Sequence, residues 1–187
     1  MKTHLIKYHL PIFHEIVNNY GQLNHYLKDV INEYRESFPQ SNTSNVKAWH
    51  SEYKTHEKTD KFDPLIGLVT NACYHVSKEY FNTPIGGDWK FVCNNLWAAM
   101  YTKDDHTVIH SHYPATFSAC YYVEVDDGCS PIVFGADEKR NGSFDEVTIQ
   151  PQNGMLVLWN GMIPHKVLPT EGKRTCVCMN FHFTETV

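Results

Sequence analysis

No apolar run in this chain approaches the roughly 18 consecutive residues that a membrane-spanning helix needs, so no membrane partner is expected. No block of Lys and Arg appears either. Sixteen basic against 21 acidic residues leave a net charge of -5, which argues against a nucleic-acid partner held through its phosphates. The six cysteines form no CxxC pair and no zinc-ribbon spacing. Four of them (Cys93, Cys120, Cys176 and Cys178) lie in β-like runs, where a thiol behaves as a small buried hydrophobe. A reducing, cytoplasmic compartment is therefore expected. There is no internal repeat and no low-complexity tract. The stretch MKTHLIKYHLPIFHEIV is interrupted by His, Lys and Tyr, so it has no clean apolar signal region and is read as mature protein.

What is present is a globular composition: 187 residues, 42% hydrophobic and 20% charged. That length fits a single domain over 1–187, with a mixed helical part at 1–88 and a β-rich part at 89–187. THLIKYHLPIF reads as a strand ending at Pro11. Residues 20–38 place Leu23, Tyr26, Leu27, Val30, Ile31 and Tyr34 on one helical stripe. NVKAWHSE reads as a short strand, and EYKTHEKTDKFDP as a polar connection. A second helix is predicted over 64–80, with Leu65, Leu68, Val69, Ala72 and Val76 inward. From Trp89 onward, eight short β-rich runs alternate with turn signals such as DDGCS, KRNGS and PQNG. Eight strands at that spacing point to an α+β protein with a double-stranded β-helix (jelly-roll, cupin-like) core and N-terminal helices packed on it. Function is then expected in the barrel's interior or mouth.

Within the β-rich part, HTVIHSHYPATFSACYY holds three histidines in seven residues, and His110 and His112 at i and i+2 share a face if the segment is a strand. With 12 histidines in the chain, about one such pair is expected by chance, so the pair alone is a weak motif. Its surroundings carry more. The later stretch PQNGMLVLWNGMIPHKVLPTEGKRTCVCMNF supplies a strand, a loop, His165 and then Arg174 nine residues on. Two ligands from one strand and a third from a distant one leave open positions on a metal. An arginine nearby can pair bidentately with a carboxylate.

In order, HSH (110–112), SACYYVEV, DDGCSPIVF, PQNG with MLVLWNG, IPHKV and GKR resemble the motif series of the Fe(II)/2-oxoglutarate-dependent dioxygenase superfamily. The likeness is strongest to the prolyl-hydroxylase-like branch and its small relatives in bacteria and phages, and it covers roughly residues 89–183. The resemblance implies Fe(II) and 2-oxoglutarate as cofactor and co-substrate. It implies iron ligands at His110 and His165, with His112 as the third, and Arg174 as the salt-bridge partner of the distal 2-oxoglutarate carboxylate. Tyr122 falls where such enzymes offer a phenol to that carboxylate. The family usually has Asp or Glu where this chain has His112. A third neutral imidazole leaves the site one unit more positive.

By alternation, Ser118 and Cys120 share the side of Tyr122, and Cys176, Cys178 and Asn180 that of Arg174. Asp104 or Asp105 would be the carboxylate that orients an imidazole, and His106 a residue at the pocket mouth. Trp97 and Trp159 read as barrel packing. His4, His9, His14, His25, His50, His56, His75 and His182 read as surface or core histidines. The expected activity is hydroxylation of a small-molecule or protein side-chain substrate, with decarboxylation of 2-oxoglutarate to succinate. The alternatives are a three-histidine cupin-like dioxygenase that does without 2-oxoglutarate, and a non-catalytic jelly-roll binding module. The N-terminal helices are expected to buttress the sheet and to offer a homodimer face.

Overall fold

The computed structural model describes residues 9–39, 45–82, 88–135 and 146–185. In chain order the elements are β1 (Ile12–Ile16), α1 (Tyr20–Ser37), β2 (Val46–Lys47), β3 (Trp49–His50), α2 (Asp63–Phe81), β4 (Trp89–Tyr101), β5 (His106–His110), β6 (Phe117–Val125), β7 (Ile132–Phe134), β8 (Val147–Ile149), β9 (Met155–Asn160), β10 (His165–Val167) and β11 (Arg174–Glu185). Two antiparallel sheets face each other: a six-stranded one ordered β1-β9-β6-β11-β4-β3 and a five-stranded one ordered β2-β5-β10-β7-β8. This is the α+β jelly-roll core anticipated from the eight short runs.

The large sheet is buried on both faces, which is why its strands lack polar alternation. On its outer face, Ala119, Tyr121 and Val123 of β6 and Val177, Met179 and Phe181 of β11 join Leu27, Val30 and Ile31 of α1 and Leu65, Val69 and Val76 of α2 in one core. On its inner face the intervening residues, Cys120, Tyr122 and Cys176 among them, pack with Ile132, Phe134 and Val167 of the small sheet. The helices thus support the sheet from behind while its front lines the barrel. Each fully buried Leu or Met in the outer core stabilises this arrangement by about 1.5–3 kcal/mol.

Several local expectations need correction. The N-terminal strand follows Pro11 instead of ending there, because β1 adds to the sheet edge by pairing Ile12 with Trp159 and Ile16 with Met155; residues 3–8 of the expected strand lie outside the described residues. Tyr26 is 40% exposed and donates its hydroxyl to the Lys61 carbonyl, so the α1 stripe is narrower than its apolar residues suggest. NVKAWHSE is two strands, not one: β2 pairs with β5 in the small sheet, whereas β3 pairs with β4 in the large one. The polar connection contains short 3-10 turns at Thr55–Glu57 and Asp60–Phe62, with Thr55 and Phe62 fully buried. At the PQNG turn, Gly154 has φ +75 and its Cα faces the Tyr20 ring, so only glycine lets α1 start against β9. The KRNGS turn lies outside the described residues.

Candidate metal and anion site

The site assembles at the small sheet. β10 runs antiparallel to both β5 and β7, placing His165 opposite His110 and Phe134. β5 ends at His110, so His112 is not on the strand as expected. It stands in the loop that follows, where its N–H donates to the Gly161 carbonyl at 2.8 Å and its own carbonyl accepts from Ala115 at 2.8 Å. That close approach explains Gly161: a Cβ there would run into the Ala115 carbonyl. The three rings still converge. Ring centroids lie 4.4 Å apart for His110–His165 and 4.9 Å for both His110–His112 and His112–His165. Their ligand nitrogens all lie within 4.8 Å of one another, a group that could hold a metal ion.

The backbone sets the ring orientation. The Nδ1 of His110 contacts the Val108 carbonyl at 2.9 Å, and that of His165 contacts the Ile163 carbonyl at 3.3 Å. A carbonyl only accepts, so in the neutral ring each Nδ1 carries the proton and each Nε2 presents a lone pair. Burial, followed by the neighbouring imidazoles, holds His165 well below the ordinary histidine range and takes His112 down to about 3. Burial also lowers His110, against the opposing effect of the hydrogen bond it donates to the Val108 carbonyl. All three are therefore neutral at pH 7, the form that binds a metal. Asp105, a candidate orienting group from the sequence, is committed elsewhere: its carboxylate accepts from the Thr102 N–H at 2.8 Å and hydroxyl at 2.9 Å. His106 lies outside the cavity lining and contacts the Asp104 carbonyl at 3.3 Å.

A cavity of about 220 Å³ runs from the imidazoles to Arg174, the first residue of β11. Arg174 is only 3% exposed. Its guanidinium carbon lies 4.1 Å from the Tyr101 ring centroid and 5.8 Å from that of Tyr122. One nitrogen, Nη1, donates to the Ser130 carbonyl at 3.4 Å, while Nε is buried without a partner among the described residues. Among the described residues, no Asp or Glu lines the cavity. The Trp159 indole N–H is likewise buried and unpaired, its ring 4.9 Å from His165. A buried cation with no carboxylate beside it is costly and favours an anion in its cavity; hydrogen bonds with Cys120 and Cys178, and then Arg174, hold the Cys176 thiol well below its ordinary range. Burial, then Cys120, pushes the Tyr122 phenol well above its ordinary range, so it remains a neutral hydrogen-bond donor.

His110, His112, His165, Tyr122 and Arg174, singled out in the sequence, all line this one cavity. Ser118 and Asn180 share the predicted face but lie beyond the cavity lining, where the Ser118 hydroxyl donates to the Asn180 side-chain oxygen at 2.8 Å. Trp97 and Trp159 both border the cavity. His50, read as an ordinary histidine, is 3% exposed and stacks on Trp97 with centroids 5.6 Å apart; Trp97 in turn lies 5.5 Å from His112. Burial lowers the His50 pKa. Tyr53, Tyr101 and Thr107 complete this wall, the Tyr101 hydroxyl lying 2.6 Å from that of Thr107. No sequence pattern marks these four, because pairing of β3 with β4 and of β2 with β5 brings them together.

Residues 95–182 match the family described as "Putative 2OG-Fe(II) oxygenase". Among solved structures, a Pseudomonas putida prolyl-4-hydroxylase is similar at 14% identity, with a TM-score of 0.63 and 91% of each chain covered. A prolyl hydroxylase from Trichoplax adhaerens, in complex with a peptide fragment of the hypoxia inducible factor oxygen degradation domain, is 15% identical at a TM-score of 0.63, over 92% of this chain and 83% of that one. The non-heme alpha-ketoglutarate-dependent carbocyclase SnoK of nogalamycin biosynthesis is 10% identical at a TM-score of 0.66, over 94% and 81%. No curated protein matches the sequence. The fold is thus that of the jelly-roll oxygenases. Over residues 95–182 the chain is thus similar to the Fe(II)/2-oxoglutarate-dependent oxygenases.

Proposed function

We propose that the chain is a single-domain dioxygenase in which His110, His112 and His165 hold Fe(II), and Arg174 and Tyr122 hold 2-oxoglutarate. The observation that carries this reading is the buried Arg174 guanidinium, its Nε unpartnered, in the same cavity as three converging neutral imidazoles and, among the described residues, no carboxylate. When bound, Fe(II) would supply the redox chemistry by which O2 oxidises 2-oxoglutarate to succinate and CO2 and hydroxylates a substrate, one oxygen atom going to each product.

The chain's own residues perform the binding and orienting. Nδ1 contacts to Val108 and Ile163 keep the His110 and His165 lone pairs aimed at one point. Arg174 meets the distal carboxylate with the donors its surroundings leave unused, and Tyr122 adds a phenolic O–H. Trp97, Trp159 and Phe134 pack around the imidazoles and exclude water. Because His112 replaces the usual carboxylate, the ligand set carries no negative charge. Anionic 2-oxoglutarate then sees one more unit of positive charge, which strengthens its hold. For the substrate, the peptide held by the Trichoplax adhaerens relative supports a protein side chain first and a small molecule second.

The test is anaerobic titration of Fe(II) and 2-oxoglutarate, read by the visible metal-to-ligand charge-transfer band. Wild type is expected to show the band, and His110→Ala to lose it. A band absent from wild type but present in His112→Asp would overturn the reading.

A further inference from the structure

The same cavity holds a second convergent group that the dioxygenase reading leaves unused: Cys120, Cys176 and Cys178. β11 pairs Cys178 with Cys120 of β6, and Cys176 lies two residues along on the same inward face, opposite Tyr122. Two thiols at i and i+2 on one strand and a third across from them form a triangle on one side of the sheet. The Cys120 and Cys178 sulfurs are 3.8 Å apart, and all three sulfurs lie within 4.8 Å of one another. None is in a disulfide. A zinc–sulfur bond of about 2.3 Å gives sulfur–sulfur edges of roughly 3.8–4.0 Å in tetrahedral or trigonal geometry, so the triangle needs to contract only slightly.

We propose that Cys120, Cys176 and Cys178 form a thiolate site for a divalent thiophilic ion of the zinc or cadmium type, distinct from the three-histidine group. Ligand softness separates the two sites, since thiolates select such ions while imidazoles accept iron. Charge balance supports it as well. Three thiolates and a divalent ion sum to one negative charge, and Arg174 on the same cavity wall supplies one positive charge, so this ion and the 2-oxoglutarate of the proposed function are alternative partners of one guanidinium. The pair is then neutral overall in a cavity that, among the described residues, contains no carboxylate. Binding forms three sulfur–metal bonds and releases three thiol protons to solvent, with no change of oxidation state.

The experiment is titration of the full, reduced chain with Cd(II) alone, read by the ultraviolet thiolate-to-cadmium charge-transfer band. One equivalent is expected to saturate the band in wild type and in His110→Ala. In Cys120→Ser and Cys178→Ser, checked for folding by circular dichroism, the affinity is expected to fall by about tenfold or more. Absence of the band in wild type would overturn the proposal whether or not the serine variants fold. So would an unchanged band in both serine variants, which would place the ion on other cysteines, or its loss in His110→Ala, which would mean a mixed site that needs an imidazole and is not distinct from the three-histidine group.

Discussion

Arg174→Met is expected to make the metal-free protein more stable and, on the proposed function, unable to hold 2-oxoglutarate. Arg174 is 3% exposed, with one hydrogen bond from Nη1 at 3.4 Å, a Tyr101 ring 4.1 Å away and an unpartnered Nε. Burying a guanidinium costs several kcal/mol. The ring contact returns about 2 kcal/mol, and the carbonyl contact about 1 kcal/mol or less at that length. Methionine fills similar space without the charge, so a net gain of about 1–2 kcal/mol is expected. For a chain of this size that is roughly 2–8 °C in Tm. Removing one partner of a buried charge pair costs about 2–5 kcal/mol, or roughly 30- to 5,000-fold in 2-oxoglutarate affinity. Calorimetry of the metal-free chain and the Fe(II)–2-oxoglutarate charge-transfer titration measure the two effects. A variant that is less stable, or that binds 2-oxoglutarate like wild type, would refute the reasoning that Arg174 is stored strain awaiting an anion.

Acidification should destabilise the metal-free chain. Burial lowers the folded pKa of His50, His110, His112 and His165 below the unfolded value of about 6.5, so the unfolded state binds more protons. Stability is complete above about pH 6.5 and is lost as pH falls toward the folded values, at up to about 1.4 kcal/mol per pH unit for each histidine. Urea midpoints at about pH 7.5 and about pH 5 that coincide would contradict this. Leu65→Ala removes a fully buried side chain from the core between the helices and the large sheet, at a cost of about 2–5 kcal/mol. Because α2 lies behind the sheet, its iron affinity should be that of wild type while its unfolding midpoint drops in a single transition. Gly161→Ala forces β9 away from the Ala115 carbonyl and so moves the carbonyl that anchors His112. Weaker metal binding with near-normal secondary structure is expected, and wild-type metal affinity would count against the anchoring role.

The sequence by itself determined the parts whose physics is local. The 3.6-residue stripe around Leu27, Val30 and Ile31 and that around Leu65, Val69 and Val76 required two helices with one buried face each. Alternation along β6 and β11 sorted Cys120 and Tyr122, and Arg174, Cys176 and Cys178, to one side before any sheet was known. The ordered series from HSH to GKR pointed to five residues that line one cavity. Tertiary structure decided what depends on pairing between distant segments. Residues 46–50 divide between two sheets because β2 and β3 meet different partners, and that division carries His50 and Tyr53 to the cavity. His112 reaches the other imidazoles from a loop, held by a Gly161 carbonyl that strand alternation could not reveal. Asp105 is adjacent to the motif in sequence yet closes a turn instead of orienting a ring. Only the fold shows that Arg174 lies buried with, among the described residues, no carboxylate in its cavity, since a missing counter-ion is a property of what surrounds a side chain in space.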